Sequence, residues 1–222
     1  ISVKNYVDNK IRWGLMPGLT KAFVINETEK NQIIAEDPKC SKLIKPFLLG
    51  KDVERYGINW KKKYLIFTRR ILNIDDYPSI KKHLEQFKRD LTPKKSKDEK
   101  GPGRAYMENP IKWYETTASM TNYKEYESPK IIYGSFVVKP RFTIDYDGYY
   151  ANNGCFIIPI VDKKLVGILN SKLGWFLIKN NCTQIQGGYQ LIGDYFQNIP
   201  ICHKQSTILE KLVDSMLKLN SQ

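Results

Sequence analysis

Asp145, followed by Asp162 and Lys164, spells the acidic-gap-acidic-x-Lys pattern of a metal-dependent phosphodiesterase, in which two carboxylates hold magnesium beside a lysine. The same residues also read as ordinary structure, because "VDKKLV" is a polar turn following an apolar strand. A second string, "ENPIKWY" at 108–114, approaches the Asn-Pro-Pro-aromatic loop that grips a flipped base by its amino group. Ile111 stands where the second proline belongs, so the loop is not spelled. "GPGRAY" at 101–106 has two glycines but follows a charged loop and precedes no helix, which is not how an adenosyl-binding turn is placed. His83 and His203 are the only histidines. His83 falls on a helix beside Leu84, and the Cys202-His203 pair ends the buried stretch "NIPI". Cys40, Cys155, Cys182 and Cys202 are dispersed without a CxxC pair, which argues against structural zinc and for free thiols in a reducing cytoplasm. The expectation is no catalytic residue and no metal ligand.

What remains abundant is positive charge. The 222 residues carry 36 Lys and Arg against 23 Asp and Glu, a formal +13 that suits a polyanion whose counterions are released on contact. Aromatics alternate with these bases in "RWG", "RYGINWKKKY", "IKWYE" and "PRFTIDYDGYY". Arg and Lys can hold phosphates, Arg can fork onto guanine, and rings can stack on bases or fill a core. No run of about 18 apolar residues exists, so no membrane span is expected. The first residues form no signal peptide and lack an initiating methionine, which reads as a piece cut from a longer protein.

The elements that must position these side chains are mixed. "KAFVIN", "KLIKPFLLG" and "KYLIFT" read as strands, and 129–161 is β-rich, with turns at Asp147-Gly148 and Asn153-Gly154. Ile80, Leu84, Phe87 and Leu91 step by four, three and four behind Pro78, which predicts a helix over 78–91. Further helices are predicted over 164–180, weakened by Gly167 and Gly174, and over 206–220. In the last, Thr207 and Glu210 form a capping box and Leu209, Leu212, Met216 and Leu219 a seam. The polar stretch 92–110 is a long loop, functional or a boundary between lobes. The fold class is α+β: a β-rich lobe with flanking helices, with one recognition domain over 1–205 and a packing or interaction helix over 206–222.

In order along the chain, "MPGLTKAFVIN", "DPKCSKLIKPFLLGKDVERY", "YLIF", "YPSIKKHLEQF", "IKWYE", "PKIIYG", "FTIDYDGYY", "LVGILNSKL" and "NIPI" resemble the TaqI-like C-terminal specificity domain of restriction–modification enzymes, from about Gly14 to Ile201. The resemblance implies a domain that reads a short double-stranded DNA sequence. It also implies a preceding adenine-N6 methyltransferase domain, sometimes fused to a nuclease. That domain would hold S-adenosylmethionine, with no cofactor in this piece. Two departures stand out: Pro17-Gly18 and Thr20 where the family carries Thr-Gly and then Asn, and Gly134 where "PKIIY" continues with proline. Lys45, Lys51 and Arg55 are expected to face phosphates, with Gly50 setting the turn and Asp52 and Glu54 close enough to pair locally, and Lys21 is expected to contact DNA. Base reading is expected from Arg69 and Arg70, Arg104 and Tyr106, Lys139 and Arg141, and the amides Gln184, Gln186 and Gln190. Two rivals stay open, a nuclease built on Asp145, Asp162 and Lys164, and a protein-interaction module docking through its last helix.

Overall fold

The computed structural model describes residues 1–70, 72–117 and 122–220. The fold is α+β, and the chain divides into two compact units, neither continuous in sequence. The first takes Ile1–Gly14, Leu48–Lys61 and Asn122–Gln222, and the second takes Leu15–Phe47 and Lys62–Thr121. The loop at 92–110 therefore lies inside the second unit. No helix among the described residues is long and apolar enough to cross a membrane.

The first unit is built on an antiparallel sheet ordered Arg12–Trp13, Cys155–Ile158, Lys130–Gly134, Phe142–Asp145. The last three strands are buried along their whole length, which is why they read as continuous apolar runs instead of an alternation. Ile131, Tyr133, Phe142 and Ile158 pack with Leu165, Leu169, Ile178 and Phe196 from the helices. A second, three-stranded sheet joins Phe136–Val137 to a hairpin of Thr183–Ile185 and Gly188–Gln190.

The helix predicted over 164–180 is two helices, Lys163–Asn170 and Lys172–Asn181. Asn170 ends the first by turning its amide onto Phe142: its Nδ2 donates to the Phe142 carbonyl at 2.7 Å and its Oδ1 accepts from the Phe142 N–H at 3.1 Å. Ser171 Oγ then accepts from Gly174 N at 3.0 Å and caps the next helix. The predicted 78–91 helix also breaks, into Pro78–Glu85 and Lys88–Leu91, where Phe87 leaves helical geometry at φ −109° and ψ 6°.

The last helix runs Thr207–Asn220, with residues 221–222 of the expected element outside the described residues. Ser206 caps it, not Thr207: Ser206 Oγ accepts from Leu209 N at 3.3 Å. The expected seam is also rotated. Val213 is buried, Leu209 and Leu217 pack against the core with it, and Leu212, Met216 and Leu219 face solvent. Gly167 permits that close docking, since a Cβ there would stand 2.8 Å from Val213 Cγ2.

In the second unit, Lys63–Ile66 lies antiparallel between Val24–Ile25 and Ile44–Leu48. The helix Glu27–Glu36 is held by a reciprocal cap between Asn26 and Glu29 and buries only Ile33. Gly18 adopts φ +92°, a left-handed backbone that glycine enters without strain. The Pro17-Gly18 departure therefore keeps the glycine that the turn requires.

Candidate nucleic-acid interface

Six of the twelve expected contact residues fall in each unit: Lys51, Arg55, Lys139, Arg141, Gln184 and Gln186 in the first, and Lys21, Lys45, Arg69, Arg70, Arg104 and Tyr106 in the second.

In the first unit the basic turn is built by glycine packing. Gly50 has no left-handed backbone, but a Cβ there would lie 2.4 Å from the Gly154 carbonyl oxygen, and one on Gly134 would lie 3.3 Å from the Gly50 oxygen. The turn is thereby pressed onto the end of the Lys130–Gly134 strand and the turn that carries residue 154. Asp52 is buried, and its Oδ2 accepts from Leu49 N at 2.8 Å, so it shapes the loop and leaves Lys51 exposed. Arg55 donates from Nη2 to the Asn170 carbonyl at 2.8 Å, at the negative end of the Lys163–Asn170 helix. Glu54 meets Lys139 Nζ at 3.8 Å on the surface. This pair ties the 50–58 segment to the 136–141 segment.

The 136–141 segment leads to the hairpin through the pairs Val137–Tyr189 and Phe136–Gln190. The hairpin turns at Gln186-Gly187, with φ +48° and +77°, the left-handed pair that a tight two-residue turn demands. Gln184, Gln186 and Gly187 are exposed. The register sets Gln184 opposite Tyr189 and Thr183 opposite Gln190, so Gln190 lies on the other face from Gln184. The expected amide cluster resolves into Gln184 and Gln186 near the tip and Gln190 behind them. This ribbon was not foreseen as a hairpin, although "QGG" between "TQI" and "YQ" carries the signal.

In the second unit Lys21 is exposed and paired with Asp90 at 2.9 Å. Lys45 sits on the Ile44–Leu48 strand, Arg69 and Arg70 are exposed just after Lys63–Ile66, and Tyr106 is half-buried. Arg104 departs most from expectation. Its Nη1 donates to the Glu115 carbonyl at 2.5 Å and its Nη2 to the Trp113 carbonyl at 3.3 Å, and the guanidinium lies 5.3 Å over Phe23. Burial lowers its pKa to about 10. The side chain is turned inward as a rivet, away from a base-reading role. Arg104→Ala should accordingly lower stability by about 2 kcal/mol, the scale of lost hydrogen bonds to a charged group. Chemical denaturation reads that loss, and an unchanged midpoint would refute the assignment.

The residues of the nuclease spelling are all structural. Asp145 is buried, pairs with buried Lys130, and accepts from the N–H groups of Asp147, Gly148 and Tyr149 at 2.8, 3.1 and 2.9 Å. Asp162 caps its helix through Leu165 N at 2.7 Å and accepts from the Tyr6 hydroxyl at 2.6 Å. Lys164 is buried and donates to the His203 carbonyl at 3.1 Å. Three His, Cys, Asp or Glu side chains do not converge as metal ligands anywhere among the described residues. His83 meets the Ala22 carbonyl at 2.9 Å.

Burial pushes the thiols of Cys40 and Cys182 up to about 11 and that of Cys155 to about 12, while Cys202 is exposed. Iodoacetamide should therefore label Cys202 alone in the native chain, as intact mass measures. The unfolded thiols release protons near 9.0, before the folded ones do. Stability should then be full below pH 9 and fall as the pH rises through 11 to 12. Thermal melts across that range follow the effect.

The sequence matches the TaqI-like C-terminal specificity domain over residues 45–201, and the chain belongs to that family. No curated protein matches it. Solved structures with a similar fold include the Type IIL restriction-modification enzyme MmeI in complex with DNA, with TM-score 0.65 and 13% identity over 96% of this chain and 28% of that one. The type IIG restriction endonuclease BpuSI gives TM-score 0.51 and 11% identity over 98% of this chain and 26% of that one. The chain thus spans about a quarter of the length of these enzymes, and at such identities the likeness is one of fold.

Proposed function

We propose that the chain is the DNA target-recognition part of a restriction–modification methyltransferase acting on adenine N6, in some arrangements fused to a nuclease. The carrying observation is the Thr183–Gln190 hairpin, with Gln184 and Gln186 exposed near its tip, in a chain of the specificity-domain family. A two-stranded ribbon fits the major groove, and a glutamine side chain there can bond both N6 and N7 of adenine. Gln184 and Gln186 read bases in this account together with Lys139 and Arg141, while Lys51 and Arg55 hold phosphates on the same unit. On the second unit Lys21 and Lys45 make backbone contacts, and Arg69, Arg70 and Tyr106 are further candidates for base contact.

The two strings nearest in spelling to methylase loops have side chains engaged within the second unit. Tyr114 of the 108–114 string is buried with its hydroxyl on the Leu72 carbonyl at 2.9 Å, and Arg104 of "GPGRAY" is turned inward. In this reading S-adenosylmethionine is held by a methylase domain of the parent protein, working in the cytoplasm, and this chain positions the duplex for it.

The test is selection of the chain on a randomised double-stranded DNA pool at two salt concentrations. An enriched short motif containing adenine is expected, and absence of DNA binding at low salt would overturn the reading. The outward stripe of Ile208, Leu212, Met216 and Leu219 favours a second reading, a protein-interaction module. That reading expects salt-insensitive partner binding that disappears when 206–222 are removed.

A further inference from the structure

We propose that a cleft in the first unit, between the edge strand Arg12–Trp13 and the short helix Gly193–Gln197, receives one unstacked nucleobase. The inference rests on the DNA-reading function but concerns a place that the hairpin and the lysines do not use. The cleft is about 730 Å³, and its walls include Trp13 and Tyr195, its apolar lining Ile11 and Ile192, and its polar groups Asp194 and Gln197.

Trp13 is 60% exposed yet fixed in place. Its Nε1–H donates to the Asn153 carbonyl at 2.6 Å. Its ring stacks on Phe156, with centroids 5.6 Å apart and planes 16° apart. Phe156 in turn stacks on fully buried Tyr133 at 5.5 Å and 15°. Three near-parallel rings thus run from the core outward and end on an indole with solvent beyond it. Tyr195, 61% exposed, lines the same cleft. A surface indole held this firmly has already lost its rotamer freedom, so a flat ring laid on it meets little ordering cost.

A planar heteroaromatic is the shape that continues such a stack, and aromatic stacking accepts any base because every base has a π-face. Asp194 accepts hydrogen bonds only, which suits the exocyclic amino groups of adenine, cytosine and guanine. The formal +13 of the chain brings polyanions to it. The base comes either from the bound DNA, as a nucleotide out of the helix, or from a free nucleotide.

The experiment titrates the chain with a fully paired duplex carrying its selected site, the same duplex with one extra unpaired adenine, and deoxyadenosine monophosphate. In a parallel series 2-aminopurine replaces the unpaired adenine. The unpaired duplex should bind about 5- to 150-fold tighter than the paired one, the range set by one base stacked on an aromatic ring, and the 2-aminopurine emission should fall. Trp13→Ala should abolish both the preference and the quench while binding of the paired duplex persists, and Trp13→Phe should retain part of each. Tyr195→Ala, on a surface side chain, gives the same reading if Trp13→Ala does not fold. Quenching of the protein's fluorescence by the monophosphate, weakened in Tyr195→Ala, assigns the cleft to a free nucleotide. Equal binding of both duplexes with no response to the monophosphate overturns this inference and leaves DNA reading intact. Failure to bind either duplex overturns DNA reading instead, and the monophosphate alone then decides the cleft.

Discussion

Lys130→Met should cost about 3–5 kcal/mol of stability, the range for removing one partner of a buried ion pair. Lys130 is wholly buried on the central strand Lys130–Gly134. Burial pulls its pKa down against the opposing pull of Asp145. Its Nζ donates to Asp145 and, at 2.5 Å, to the Tyr126 carbonyl. Methionine fills a similar volume, so the loss reports the stranded carboxylate and the orphaned carbonyl more than a cavity. Asp145 also gathers the three N–H groups that form the turn at 147–149. The same substitution should therefore loosen this turn, visible as faster amide exchange at Asp147, Gly148 and Tyr149. A double variant, Lys130→Met with Asp145→Asn, should recover part of the loss, because no buried charge remains while the amide oxygen still accepts from the turn. Denaturant midpoints of the three proteins measure this, and a single variant as stable as the parent would contradict it.

The second large effect concerns specificity. Replacing Gln184 with Ala and Gln186 with Gly in the same chain should erase about 1–3 kcal/mol of discrimination at each of two bases, and about 2–6 kcal/mol between the selected site and a variant changed at both. Glycine suits position 186 because the backbone there is left-handed, so the turn survives while the amide goes. Lys51→Ala should behave differently, weakening all DNA alike and reducing the salt slope by about one unit. Binding to matched and mismatched duplexes at several salt concentrations separates the two behaviours. Discrimination that survives in the double glutamine variant removes the hairpin from base reading.

Strands with continuous apolar runs, "PKIIYG" and "CFII", were plain in the sequence because burial on both faces writes itself in composition. Helix breaks were not. Asn170, Ser171 and Phe87 end helices through specific hydrogen bonds and backbone angles that a periodicity cannot carry. The helix Glu27–Glu36 escaped notice because it has almost no apolar face, though Asn26 and Glu29 marked its start. Site residues were legible as types and not as roles. Arg104 and Asp145 look alike to the eye as exposed charges, and only their distant partners, Glu115 and Lys130, reveal that they face inward.

The interleaved division of the chain governs how this protein can be made and altered. Trp13 pairs with Phe156 and Arg12 with Ile157, so the first unit's sheet cannot close until most of the chain has left the ribosome. Every single cut through the sequence between residues 14 and 122 leaves the first unit in two fragments. Grafting a new specificity by exchanging one contiguous half of the chain should yield two incomplete cores. Exchange of the Gln184–Gly187 tip alone, closed by its own turn, leaves both cores whole.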